Sequence, residues 1–388
     1  MVSSPCPAPL LQVRDLYVEY GRGPVALRVV DGVSFQLGEG EIVGLVGESG
    51  CGKSTLGAAL LRLVTAPGRI VAGSIRFEGA DLIGLPEAQM RKVRGRKISM
   101  IVQDALAAMN PVVRVGRQVG EVVRDHIDIS TDETRRLVLD TLCRVRLPRP
   151  ELTARNYPHE LSGGMQQRVL IGQGLILGPR LLVADEPTTA LDVTIQSQIL
   201  DLLLHIRDEN GTAILLITHD LATVADVCDR VMVMYGGRIV EMGGVDAIFS
   251  QPKHPYTQAL LAGLLPLRGE PPTQLPALAG QPPRPDDLPG GCRFHPRCPL
   301  WSRLGRPDVC VKDDLAIAYD DDRHAAACHF AHIEGSVAAE TLARLEPNAG
   351  HGRTPRSGSR IRGPAPDKGV RARCLDPLRR VNKDCRPP

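Results

Sequence analysis

The run Gly47-Glu48-Ser49-Gly50-Cys51-Gly52-Lys53-Ser54 constrains this chain more than any other feature. It follows a short apolar segment, Glu41 to Val46, of buried-strand type, and precedes a helix-like stretch, Ser54 to Leu63. Strand, glycine-rich turn and helix in that order open an α/β nucleotide-binding core. The glycines let successive backbone N–H groups converge on phosphate oxygens, an arrangement closed to bulky side chains. Lys53 supplies a point charge to the β- and γ-phosphates, Ser54 can coordinate Mg²⁺, and the helix starting there adds its positive N-terminal end. The candidate nucleotide-binding residues are Gly47, Ser49, Gly50, Cys51, Gly52, Lys53, Ser54 and Thr55, with ATP and Mg²⁺ as the expected ligands.

Two more buried strands, Leu181 to Ala184 and Ala213 to Ile217, are expected on either side of a helix over Val193 to Ile206. The first leads into Asp185-Glu186. A carboxylate at a strand tip beside a phosphate loop is where Mg²⁺ is held, which makes Asp185 the metal-side residue. Glu186, one residue on, can polarise a water for attack on the γ-phosphate. Residues from about Gln103 to Gly164 carry helical patterns, for example Asp132 to Arg146, and predict a helical insertion. Leu11 to Phe35 alternates apolar and polar side chains around Gly21 and Gly23, the pattern of an antiparallel hairpin.

Leu161-Ser162-Gly163-Gly164-Met165-Gln166-Gln167-Arg168 is the most discriminating run. Ser162 is placed to cap a helix, and two glycines expose the N–H groups at its start. This is a second phosphate-binding surface in a chain whose single phosphate loop already serves its own nucleotide. It makes sense when it faces nucleotide on another subunit. The run resembles the signature of ATP-binding-cassette (ABC) ATPases, with Met165 at the fifth place and Gln166 next. That resemblance implies roles for further residues in the same order as the family's motifs. Gln103 corresponds to the Q-loop glutamine, which shares the Mg²⁺ site, Asp192 to the D-loop, His219 to the switch histidine and Tyr20 to the aromatic that stacks on adenine. Ser162, Gly163, Gly164 and Gln166 join the nucleotide-binding set, and Glu186, His219 and Gln103 are the catalytic candidates. The implied fold class is α/β: an ABC-type P-loop ATPase core with an antiparallel β subdomain and a helical insertion, plus a small Cys-rich C-terminal extension.

The resemblance extends to one branch of that family, the ATPases of oligopeptide/dipeptide importers. It is carried by Met100-Ile101-Val102-Gln103-Asp104, Tyr157-Pro158-His159-Glu160, Asp192-Val193-Thr194-Ile195-Gln196, His254-Pro255-Tyr256-Thr257 and Gly291-Cys292-Arg293-Phe294-His295-Pro296-Arg297-Cys298-Pro299. It covers about residues 8 to 332. Ala105 replaces the family's usual proline, and Gly172 and Gly174 stand where alanine is usual, each costing about 1 kcal/mol of helix stability. The implied function is an ATP-hydrolysing subunit that powers peptide uptake. An importer ATPase for glutathione or nickel chelates, or a non-transport ABC ATPase, is the alternative. The implied partners are a second, related ABC ATPase subunit, two membrane permease subunits and, through the complex, an extracytoplasmic substrate-binding protein. The implied location is the cytoplasmic face of the membrane, as a peripheral subunit.

Composition adds limits. No apolar run approaches the roughly 18–20 residues that span a bilayer, and the first residues lack a secretory pattern. The net charge of +3 is uneven: residues 351–388 hold 11 Lys and Arg against 3 Asp and Glu, while the rest holds 36 against 41. The body is thus mildly acidic, nucleic acid is not an expected partner, and residues 336–388 read as a disordered basic tail. Eight prolines in the 24 residues from Pro266 to Pro289 predict a stiff linker, so the expected domains are 8–265, with its helical part at about 103–164, and 266–335.

Of ten cysteines, Cys6, Cys51, Cys143, Cys228, Cys374 and Cys385 are scattered, whereas Cys292, Cys298, Cys310 and Cys328 follow C-x₅-C-x₁₁-C-x₁₇-C. Four clustered thiols in a cytosolic chain suit zinc or an iron–sulfur cluster better than disulfides. The tight knuckles usual for zinc are absent, and some members of the resembled family carry a [4Fe-4S] cluster. An iron–sulfur cluster is the expectation, with Zn²⁺ or free thiols as alternatives and His295, His324 and His329 as substitute ligands. The segment's own apolar residues are few, mainly Phe294, Leu300, Trp301, Leu304 and Leu315, and it is too far along the chain from Lys53 and Glu186 to be assigned chemistry, so a structural or docking role is expected.

Overall fold

The computed structural model describes residues 8–23, 26–189, 191–263, 278, 280–317 and 324–331. The expected basic tail, much of the expected linker, Ala190 and Cys6, Cys374 and Cys385 lie outside the described residues.

Eleven strands are described: β1 (Leu11–Tyr20), β2 (Leu27–Leu37), β3 (Ile42–Val46), β4 (Gly68–Phe77), β5 (Ala80–Asp81), β6 (Ile98–Ile101), β7 (Leu181–Asp185), β8 (Ala213–Ile217), β9 (Arg230–Tyr235), β10 (Arg238–Gly244) and β11 (Ala325–Ala326). The hairpin expected from Leu11 onward is present, since β1 pairs antiparallel with β2 and also with β4. Its sheet runs β2-β1-β4-β5. The second sheet runs β11-β10-β9-β3-β8-β7-β6 and is parallel from β9 to β6. Strands β3, β7 and β8 are buried at every residue, which is why they read as unbroken apolar runs rather than alternating ones.

Each face of that sheet has its own core. On one, Leu56, Ala59 and Leu60 of the Lys53–Leu60 helix pack with Val43, Leu45 and the inward residues of β1 and β2. On the other, Leu182, Ala184 and Leu216 meet Val115, Val119, Leu142, Val169, Ile199 and Leu202. These come from the helices Val115–Arg124, Thr131–Arg144, Gly163–Leu175 and Val193–Asn210, the first two of which form the expected insertion. The Thr131–Arg144 helix starts at a capping box. Ser130 Oγ accepts the Glu133 N–H at 3.2 Å, and the Glu133 carboxylate accepts the Ser130 N–H at 3.0 Å. Gly172 and Gly174 gain a purpose here. A Cβ on them would stand 3.3 Å from Thr141 Cγ2 and 3.2 Å from Ser99 Oγ, so their helix lies close against its neighbours.

The cysteine-bearing extension departs from the expected separate module. Phe294, 1% exposed, sits in a third core with Val231, Val233, Tyr235, Tyr256 and Leu261 of the ATPase body. Leu304 and Leu315, expected to build a local core, are 40% and 38% exposed. Strand β11 pairs with β10 at the edge of the main sheet. The extension borrows its core from the body, and distance along the chain misjudged its distance in space.

Candidate functional site

The parallel order β3-β8-β7-β6 brings four strand ends side by side, and ligands of such sheets bind beyond those ends. The loop after β3 is the expected phosphate loop, pressed between β9 and β2. A Cβ on Gly47 would lie 2.2 Å from the Met234 carbonyl oxygen. One on Gly52, whose φ is 108°, would lie 2.6 Å from that of Val29. Only glycine fits either position. Lys53 is buried and donates to the carbonyls of Gly47 at 2.8 Å and Glu48 at 2.9 Å. Ser49, Gly50 and Ser54 are exposed, Thr55 is half-buried and Cys51 is buried.

Ser54 Oγ donates to Asp185 Oδ1 at 3.2 Å. Burial pushes the Asp185 carboxyl up and the Glu186 charge adds to this, with the Ser54 hydrogen bond in partial opposition. Ser54 and Asp185 are thus a hydroxyl and a carboxylate in contact at the loop, a donor set suited to Mg²⁺.

Glu186 gathers the other candidates. Its backbone is left-handed, φ 46°, uncommon for a residue with a Cβ, and its N–H donates to Ile217 O at 2.8 Å. Its Oε2 accepts from Gln103 Nε2 at 2.9 Å and Thr189 Oγ1 at 2.7 Å, and its Oε1 lies 3.2 Å from His219 Nδ1. Burial pushes the Glu186 carboxyl up, but the hydrogen bonds from Thr189 and His219, together with the nearby charges of His219 and Lys53, hold the group below its ordinary range. Gln103 follows β6, Glu186 follows β7 and His219 follows β8, so strand adjacency explains why residues so far apart in sequence meet. Thr189 was not anticipated; its place three residues after Glu186, within side-chain reach across a turn, was the available signal.

The signature residues stand elsewhere. Among the described residues, no hydrogen bond or ion pair joins residues 162–166 to residues 47–55. Ser162 precedes the Gly163–Leu175 helix, but its hydroxyl makes no capping bond, contrary to expectation, and it is exposed together with Gly163. Gly164 packs against Ile195, and Gln166 Nε2 donates to the carbonyls of Pro158 and Leu161, bracing the preceding loop. Asp192 caps the Val193–Asn210 helix by accepting the Ile195 N–H at 2.9 Å. Tyr20 ends β1, half-buried, opposite Leu27 and Gly68.

Cys292, Cys298, Cys310 and Cys328 line one narrow cavity with His254, His295 and His329. Burial pushes the Cys292 thiol up to about 11 and that of Cys328 up to about 12. Among the described residues, however, no three His, Cys, Asp or Glu side chains are grouped so as to hold a metal ion. The thiols fit iron or zinc in kind but do not form a ligand group as placed. His324 is turned away, with Nε2 2.6 Å from Glu241 Oε1, and drops out as a substitute ligand.

Residues 30–189 match the family described as ABC transporter, and residues 240–303 match that described as oligopeptide/dipeptide transporter, C-terminal region. The chain is similar to a probable peptide ABC transporter ATP-binding protein of Sinorhizobium fredii, with 44% identity covering 84% of this chain and 97% of that one. It is 42% identical to the dipeptide transport ATP-binding protein DppD of Escherichia coli, covering 83% and 96% of the two chains. The oligopeptide transport ATP-binding protein AppD of Bacillus subtilis is 46% identical, covering 84% and 98%. Among solved structures, a dimeric ATP-binding cassette bound to ADP and phosphate in a post-hydrolysis state superposes with a TM-score of 0.55. It is 26% identical, covering 61% of this chain and 98% of that one.

Proposed function

Because this chain belongs to the family of peptide ABC transporter ATP-binding proteins, we propose that it is the ATP-hydrolysing subunit that powers peptide uptake through a membrane importer. The observation that carries the chemistry is the Glu186 carboxylate, held by Gln103, Thr189 and His219 beside the Asp185–Ser54 pair and the phosphate loop. Lys53 exchanges the carbonyls of Gly47 and Glu48 for phosphate oxygens when ATP enters. Ser54 and Asp185 would hold Mg²⁺, with Gln103 nearby, and the bound ion offsets charge on the phosphates. Glu186, kept ionised by its donors, orients the attacking water and takes its proton, and His219 steadies the carboxylate. The match of residues 240–303 favours peptide import over the glutathione, nickel-chelate and non-transport alternatives.

The exposed Ser162 and Gly163 and the dimeric form of the similar solved cassette support a second ATPase subunit across the nucleotide, a related cassette rather than an identical copy. Gln103 and the helical insertion then face two permease subunits. An extracytoplasmic substrate-binding protein feeds them, and this chain sits peripherally at the cytoplasmic face. Among the described residues, no helix is long and apolar enough to cross a membrane. The test is the assembled transporter in vesicles, read for peptide-stimulated ATP hydrolysis and labelled-peptide uptake. Gly163→Asp places a carboxylate against the partner's phosphates. It should lower both readouts at least tenfold while this chain's own ATP affinity stays within twofold. Hydrolysis without peptide accumulation by the wild type would sink the reading.

We further propose that the four cysteines hold a [4Fe-4S] cluster, with Zn²⁺ as the alternative. That all four line one cavity supports it. Anaerobically purified chain should contain about four irons and absorb broadly near 400 nm, with the colour lost on Cys292→Ser. About one zinc and no iron would select the alternative, and neither metal would leave four thiols.

A further inference from the structure

Glu48 puts an acidic side chain inside the phosphate loop, where ATP brings its own negative charge. The structure supplies the counter-charge from 249 positions away: Arg297 Nη1 donates to Glu48 Oε2 at 2.7 Å and Arg297 Nη2 to Oε1 at 3.0 Å, a two-pronged pair. The Arg297 side chain is 7% exposed and that of Glu48 24%, so solvent screens the pair poorly. Arg297 also donates to the Tyr235 hydroxyl at 3.1 Å, at the end of the strand that packs on Gly47.

Glu48 is held at its other groups as well. Its N–H donates to the Tyr256 hydroxyl at 2.9 Å, and its carbonyl accepts from Lys53 Nζ. Four residues before Arg297, Arg293 donates to Gly236 O and to Asp31, which also accepts from Arg238 at 2.6 Å. The next residue, Gly237, donates its N–H to Cys51 O in the phosphate loop at 2.9 Å. The segment between Cys292 and Cys298 therefore grips the loop directly through one arginine and through the Gly236-Gly237 turn by the other.

We infer that Arg297 is a positioning residue of the ATP site: it neutralises and fixes Glu48, so that the C-terminal extension completes the phosphate loop of its own chain. This deepens the ATPase reading and rests on it. A lost counter-charge acts on bound substrate and transition state alike, so it raises KM with little change in kcat.

The experiment measures ATP affinity of the full-length chain by equilibrium binding, and KM and kcat in the assembled transporter. Arg297→Ala should weaken ATP binding about tenfold at low salt, less at 0.5 M NaCl, with kcat within threefold of wild type. Arg297→Lys, which keeps the charge but loses the fork, should fall between. Adding Glu48→Gln to Arg297→Ala removes the uncompensated charge and should restore affinity to within threefold of wild type. If the alanine variant loses the extension to protease, Arg297→Gln reads the same charge with more of the side chain's bulk retained. Affinity within twofold of wild type for a protease-resistant Arg297 variant, or a double variant as weak as the single one, overturns the inference alone. A wild-type chain that bound no ATP would overturn the ATPase reading with it.

Discussion

Glu186→Gln should bind ATP as the wild type does and turn it over at least a hundredfold more slowly, about 2.7 kcal/mol on the barrier. The amide keeps the size of the carboxylate and can still meet Thr189, Gln103 and His219, which surround Glu186 in the structure. It cannot take a proton from water. Because the defect follows binding, ATP should accumulate in the site and hold the paired cassettes together, which gel filtration reads as a larger species with trapped ATP. Steady-state hydrolysis by the assembled transporter above a tenth of the wild-type rate would show that Glu186 is not the base.

Phe294→Ala should cost about 3–5 kcal/mol, the range for deleting a buried aromatic ring. The ring is 1% exposed and lies 5.3 Å from that of Tyr235, 5.4 Å from that of Tyr256 and 5.9 Å from that of His254, measured between centroids. Among the described residues of the extension, no hydrophobic side chain is more deeply buried. Denaturant unfolding should show the loss, and proteolysis should cut the extension before the ATPase body. A loss under about 1 kcal/mol, with the extension still protected, would mean that Arg293, Arg297 and β11 suffice to dock it.

The part of the candidate site around Lys53, Asp185 and Glu186 was legible because its signals are local. Lys53 and Ser54 are fixed by the glycine pattern, and Asp185 and Glu186 by the apolar run before them. Gln103 and His219 follow strands whose adjacency no single segment states, and there the family resemblance supplied what periodicity lacked. Long-range charge pairing left no such trace. Arg297 reads as one basic residue among many, and Glu48 as a permitted letter at a variable motif position. Ser162 shows the converse: its type and place announce a cap, yet its hydroxyl makes no capping bond. Backbone strain at Glu186 was equally silent, since nothing in Asp-Glu-Pro announces a left-handed glutamate.

The two-residue strand β11 has a consequence for solubility. It pairs Ala326 with Glu241 and Ala325 with Met242, and Ala327 N–H donates to Val240 O at 2.8 Å. Without it, β10 would be the last strand of the main sheet, with its outer row of amides and carbonyls open to any passing strand. Shortening the chain before residue 324 would therefore do more than discard cysteines: it would uncover a sticky margin along which copies can stack edge to edge into aggregates.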